Sequence, residues 1–167
     1  PLRCTWCDTS YAFAGGEWRT IEQVLAEVAR FDTRHVCVTG GEPLAQKRCL
    51  VLLERLCDAG HAVSLETSGA LDIAGVDPRV SRVLDLKAPA SGEEARNRWE
   101  NLALLSPRDQ VKFVLADRAD YEWAREAIRA HAIDVRCEVL LSPVHGQLVP
   151  RALAEWLLED RLQARLQ

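Results

Sequence analysis

The sequence predicts an α/β fold built from parallel strands, and three observations carry that prediction. Short β-branched runs alternate with segments of helical apolar spacing along the whole chain. Each strand, helix, strand step in that rhythm implies parallel strands joined by a right-handed crossover. The polar and glycine-rich exceptions fall just after the strand runs, where parallel α/β folds place their sites. The spacing leaves open whether the sheet stays open or closes wholly or partly into a barrel.

The elements follow in order. Trp18 to Phe31 reads as a helix, with Thr20 as N-cap and Ile21, Val24, Leu25, Val28 and Phe31 on one apolar face. His35 to Thr39 is the first strand. Leu44 to Ala59 repeats the helical spacing through Leu50, Leu53 and Leu56, and Gly60 stops it. His61 to Thr67 and Arg82 to Lys87 are the second and third strands, and a helix is expected from Glu93 to Leu105. Gln110 to Ala116 is the fourth strand, Asp120 to His131 a helix, and Val135 to Ser142 the fifth strand. Pro150 suits the first turn of a last helix, ahead of Leu153, Trp156 and Leu157. Trp99, Trp123 and Trp156 fall on helices as packing residues.

Composition narrows the function classes. The chain has 167 residues, 48% hydrophobic and 28% charged, with 21 basic against 25 acidic side chains and a net charge of −4. That is one ordinary domain, expected to span residues 1–167. No apolar run is long enough to cross a membrane, and an acidic balance gives no grip on nucleic acid or anionic lipid. A small-molecule partner is expected. There is no methionine and the chain opens on Pro1, so the natural N-terminus is expected upstream. The six cysteines lack the regular loop spacing of a secreted scaffold, which points to a reducing, cytoplasmic setting.

The sharpest motif is Cys4-Thr5-Trp6-Cys7-Asp8-Thr9, ahead of the first strand. Two thiolates at this spacing suit an iron-sulfur cluster, zinc or a redox disulfide, and the CxxC alone does not choose. Gly40-Gly41-Glu42-Pro43 follows the first strand. Two glycines let backbone approach a ligand closely, and the glutamate offers an acceptor for an ammonium or hydroxyl. By itself such a dipeptide is more often only a tight turn; the pairing with a cysteine loop one helical unit upstream is the rarer feature. Cys37, Cys49, Cys57 and Cys137 lie in strand or helix patterns and read as small buried hydrophobes. Nucleophile-elbow, Walker, GxGxxG and HExxH patterns are absent, and the four histidines carry no ligand spacing.

Cys4, Trp6 and Cys7 together with Gly40 to Pro43 resemble the radical S-adenosylmethionine (SAM) enzymes, whose cluster loop ends in Cx(aromatic)C and whose second strand ends in a GGEP-like motif. The narrower run Trp6-Cys7-Asp8-Thr9 is similar to the 7-carboxy-7-deazaguanine synthases within that family. The resemblance implies an incomplete TIM-type barrel of parallel strands, truncated here at the N-terminus and, by expectation, at the C-terminus. It implies a [4Fe-4S] cluster on Cys4 and Cys7, with a third cysteine upstream, and Mg²⁺ at Thr9. It further implies SAM at Trp6, Asp8, Gly41 and Glu42 and substrate at Thr39. Glu66, Asp85, Lys87, Ser142 and Pro143 are carried over toward SAM as successive strand-end residues, Lys87 for its carboxylate and Glu66 or Ser142 for ribose hydroxyls. The plainer reading is that these rim charges pair with one another.

The activity so implied converts 6-carboxy-5,6,7,8-tetrahydropterin to 7-carboxy-7-deazaguanine with loss of ammonia. A 5′-deoxyadenosyl radical starts it, in a homodimer supplied by an electron donor such as flavodoxin. The alternatives are a glycyl-radical-enzyme activase, which the Cys-Asp-Thr continuation disfavours, and a non-catalytic iron-sulfur or zinc module, which leaves Thr39 to Pro43 unexplained.

Overall fold

The computed structural model describes residues 2–167; Pro1, from which the sequence reading infers a missing start, lies outside them. The element order is α1 (Ile21–Ala29), β1 (His35–Val38), α2 (Cys49–Asp58), β2 (Ala62–Thr67), β3 (Ser81–Lys87), β4 (Gln110–Leu115), α3 (Arg118–Ala130), β5 (Glu138–Pro143), α4 (Pro150–Asp160) and β6 (Arg165–Leu166), with short 3-10 turns between. All strand pairs are parallel, and the sheet order is β1-β2-β3-β4-β5-β6. A sequential order has no point at which the winding reverses, so this is the singly wound, barrel-type arrangement left open, not a doubly wound sheet.

Alternation along the strands divides the two faces. Val63, Leu65, Leu84, Leu86, Val111, Phe113, Leu115, Val139 and Leu141 are buried on the outer face, in one cluster with Leu53 and Leu56 of α2, Tyr121, Ala124 and Ile128 of α3, and Leu153 and Leu157 of α4. Each such aliphatic side chain contributes roughly 1.5–3 kcal/mol. The helices therefore cover one face, and the opposite, concave face keeps the polar residues of β2 to β5.

Thr20 caps α1 as expected: its hydroxyl accepts from Gln23 N, and the Gln23 side chain accepts from Thr20 N at 2.8 Å. Pro150 opens α4. Elsewhere the boundaries shift for identifiable reasons. α1 ends at Ala29, so Phe31 lies beyond the apolar face and is 69% exposed. The expected helix from Leu44 is a 3-10 turn, Pro43–Ala45, followed by an extended Gln46, and α2 starts only at Cys49, leaving Leu50 exposed.

No α-helix forms between Glu93 and Leu105, where the chain makes 3-10 turns instead. Asn97 bonds both backbone groups of Lys87 (2.8 and 2.9 Å), and Asn101 donates to the carbonyls of Gly69 and Leu71 at 2.9 and 2.8 Å. These long-range bonds hold the segment flat against the strand ends and replace its helical pairing. β5 begins at Glu138, because Arg136 N and Cys137 N are both used in a turn on Ile133 O. Of the cysteines, Cys49 and Cys137 are buried as expected, Cys57 is half-buried, and Cys37 is exposed. Cys37 faces inward from the edge strand β1, opposite Ser64, where no helix covers it.

Candidate functional site

The concave face, the loop carrying Cys4 and Cys7, and the turn after β1 enclose one cavity of about 1110 Å³. Every residue singled out from the sequence borders it: Cys4, Trp6, Cys7, Asp8 and Thr9 from the loop; Thr39, Gly41 and Glu42 from the turn; Glu66, Asp85, Lys87, Ser142 and Pro143 from β2, β3 and β5. Strand register explains the convergence, since Lys87, Val114 and Ser142 stand in one row at the carboxyl edge.

The cysteine loop is tied down from one side. Cys7 N donates to Cys4 O at 3.1 Å in a tight turn, and Thr5 N donates to Ser91 O at 3.1 Å. Thr5 Oγ1 donates to Ala90 O at 2.9 Å, and Arg3 N to Glu93 Oε1 at 2.6 Å. The turn Pro89–Ser91 is anchored in turn by Asp120, a buried carboxylate that accepts from Ala90 N and Ala116 N, each at 3.0 Å. The sequence reading passed over Asp120; as the third residue of α3, beside the helix N-terminus, it sits where a carboxylate is favoured.

Cys7 Sγ lies 3.6 Å from Thr9 Oγ1. Burial pushes the Cys4 thiol above its ordinary range, with Lys87 pulling it the other way, so a metal at Cys4 must displace a proton. Two half-buried thiols on one turn at a cavity wall suit two ligands of an iron-sulfur cluster. Among the described residues no group of three or more His, Cys, Asp or Glu side chains could hold a metal ion.

The turn after β1 is built around Glu42. Gly40 has φ +143°, a conformation L side chains rarely adopt. Gly41 has ordinary φ, and a Cβ there would meet no protein atom within 4 Å, so its missing side chain widens the cavity and satisfies no packing need. Glu42 itself is buried. Its carboxylate accepts from Leu44 N (3.1 Å), Thr67 Oγ1 (2.8 Å), Ser68 N (2.9 Å) and Ser68 Oγ. Four donors fill its ordinary capacity. Glu42 thus locks the β1 turn to the end of β2, a role the motif alone did not reveal, and Thr67 and Ser68 are the partners the sequence reading missed.

The rim charges do pair among themselves in part. Lys87 Nζ and Asp85 Oδ2 are 2.8 Å apart, and Thr39 Oγ1 donates to Glu66 Oε2 at 3.4 Å. Burial works to lower the Lys87 pKa, but the adjacent Asp85 carboxylate outweighs it and holds the ammonium above its usual range. Lys87 is therefore a permanent cation at the cavity wall. Among the described residues Asp85 Oδ1 is buried without a partner.

A family model described as the radical SAM superfamily matches residues 1–147. The chain belongs to the radical SAM superfamily. Within it, the 7-carboxy-7-deazaguanine synthase of Chlorobaculum tepidum is 47% identical over 167 residues, covering 98% of this chain and 76% of that protein. The enzyme of the same name from Koribacter versatilis is 43% identical over 180 residues, covering 99% and 80%. This radical SAM chain is accordingly an enzyme of the 7-carboxy-7-deazaguanine synthase type. In fold it is similar to the crystal structure of QueE from Escherichia coli, with a TM-score of 0.77 at 23% identity over 100% of this chain and 80% of that one. Streptococcus suis SuiB bound to S-adenosylmethionine gives 0.69 at 15% identity, over 99% and 43%. The family implies a [4Fe-4S] cluster and SAM, and no helix among the described residues is long and apolar enough to cross a membrane.

Proposed function

We propose that this radical SAM chain converts 6-carboxy-5,6,7,8-tetrahydropterin to 7-carboxy-7-deazaguanine with loss of ammonia. The observation that carries the reading is the meeting, in one cavity, of the CxxC loop, the GGEP turn and the polar ends of β2, β3 and β5. A stand-alone metal module has no use for the last two.

The cluster and SAM, when bound, supply the radical that starts the reaction. The chain's own residues bind, orient and exclude water. Cys4 and Cys7 offer two thiolates, the third being expected upstream of Pro1. The three bonds from Arg3 and Thr5 to the Pro89–Glu93 segment keep the loop against the cavity. Lys87, held charged by Asp85, takes the methionine carboxylate of SAM. Gly41 leaves room for the methionine end, Glu42 holds that turn in shape, and Trp6 and Asp8 flank the same molecule from the cysteine loop. Glu66 or Ser142 accepts from ribose hydroxyls beside Pro143, while Thr39 meets the substrate. The Thr9 hydroxyl would offer Mg²⁺ an oxygen ligand of the kind it requires, and the ion so held would orient the substrate carboxylate. The working form is taken as a cytoplasmic homodimer supplied by a flavodoxin-like electron donor, as the family resemblance suggests.

The test uses the full-length protein, reconstituted anaerobically with iron and sulfide, with SAM, reductant, Mg²⁺ and carboxytetrahydropterin, and reads products by mass spectrometry. Conversion with loss of ammonia is expected, stimulated by Mg²⁺ and weakened about tenfold or more in Thr9→Ala. Reductive SAM cleavage without pterin turnover would sink the substrate assignment.

A further inference from the structure

One buried acceptor on the cavity wall lacks a donor. Asp85 gives its Oδ2 to Lys87 Nζ at 2.8 Å, while its Oδ1 is buried and, among the described residues, has no partner. A carboxylate oxygen left dry without a donor is costly, and nothing in the packing of β3 requires it. Directly opposite Asp85 in the register of β3 and β4 stands Lys112. The chain neighbours of the two, Leu84, Leu86, Val111 and Phe113, are fully buried on the outer face. Both side chains therefore turn to the concave face, where both border the cavity. Adjacent strands lie about 4.8 Å apart, a gap that the four-carbon stem of a lysine spans.

The other carboxylates on this wall are placed for other partners. Glu66 stands beside Val83, one inward row away from Asp85, and accepts from the Thr39 hydroxyl at 3.4 Å. Glu138 stands opposite Gln110 and lies 3.1 Å from Arg165. Register thus offers Lys112 one carboxylate directly across, and that carboxylate keeps one oxygen open. A ligand carboxylate arriving at Lys87 sets two carboxylates on one ammonium. Like charges that close repel, and the cost falls on Asp85, which is already short of a donor. A second ammonium across the strand pair removes it.

We infer that Lys112 is a positioning residue: when a carboxylate binds at Lys87, the Lys112 ammonium donates to Asp85 Oδ1, so that two carboxylates meet two ammonium groups and Asp85 keeps Lys87 in place. The inference rests on the assignment of the SAM carboxylate to Lys87. Lys112 acts through Asp85 and touches neither SAM nor the substrate.

The test measures equilibrium binding by dialysis on the reconstituted full-length enzyme without reductant. The two probes are SAM and 5′-methylthioadenosine, a neutral thioether that lacks the amino-acid end. Lys112→Met is expected to weaken SAM about tenfold, the loss of one charged hydrogen bond, and to leave 5′-methylthioadenosine within about twofold. Lys112→Arg should recover most of the loss. Made in an Asp85→Ala background, the same Lys112→Met change should alter SAM affinity by less than about twofold, because the residue through which it acts is gone. Asp85→Asn serves for that background if Asp85→Ala does not fold. The inference is overturned if Lys112→Met binds SAM as the parent enzyme does, or if it weakens both probes alike, which would make Lys112 a scaffold residue. It is equally overturned if the loss is as large without the Asp85 carboxylate as with it, which would make Lys112 a direct ligand contact. Lys87→Met separates the two levels of the argument. Unchanged SAM affinity in that variant would overturn the assignment of Lys87, whereas a loss there with none in Lys112→Met would overturn this inference alone.

Discussion

Asp120→Ala tests how the cysteine loop is held, because the perturbation lies outside the cavity. The carboxylate is 1% exposed and accepts Ala90 N–H on one oxygen and Ala116 N–H on the other, both at 3.0 Å. Ala116 is 9% exposed, so its amide would be left nearly dry and unpaired, at a cost of about 1–3 kcal/mol. Ala90 is exposed and water can replace its acceptor, which limits that part to about 1 kcal/mol. The sum is roughly 2–4 kcal/mol, read as a lower urea midpoint at unchanged slope and a melting temperature lower by roughly 5–15 °C for a chain of this size. The second readout is iron per chain after reconstitution. Thr5 bonds to Ala90 O and Ser91 O, so loosening that turn frees the Cys4–Cys7 loop, and iron content is expected to fall even at temperatures where the variant is folded. Asp120→Asn keeps one acceptor oxygen and should fall between the two. A loss below about 1 kcal/mol together with full iron content would refute the tether.

Two further outcomes follow from buried ionisable groups. Asp109 is 1% exposed, and although burial alone would raise its pKa, the bonds from Arg82 and Ser106 win and hold the carboxyl below its ordinary range. Its stabilisation is therefore complete above the unfolded-state value of about 3.9 and is lost as pH falls through the lower folded value. Urea titrations should show an acid loss below about pH 4 that is smaller in Asp109→Asn, which also loses roughly 3–5 kcal/mol at neutral pH by stranding Arg82. Alkylation at neutral pH, mapped by mass spectrometry, should mark exposed Cys37 first. Cys137, buried and with its thiol pushed up to about 11 by that burial, should react only on unfolding; early labelling of Cys137 would contradict the packing.

Legibility followed the range of the interaction. Thr20 and Pro150 were readable because caps and first-turn prolines act within four residues. Leu53, Leu56, Leu153 and Leu157 were readable as core because helical spacing alone defines a buried face. The Glu93–Leu105 helix misled because its apolar spacing is real, while Asn97 and Asn101 spend their amides on backbone about 10 and 30 residues away in sequence. β6 was missed because two residues carry no period. Cys37 was misread because alternation marks a face without saying whether anything covers it.

The candidate site divides in the same way. By itself the sequence determined the α/β order, the cysteine loop, the glycine turn, and which residues end the strands, since periodicity and motif spacing are local properties. Only the tertiary structure decided that the strands run sequentially in an open sheet and that Glu42 is filled by Thr67 and Ser68. The Glu42 pairings join residues about 25 apart in sequence whose meeting is set by strand register and loop closure, and neither is written in the neighbourhood of any one residue.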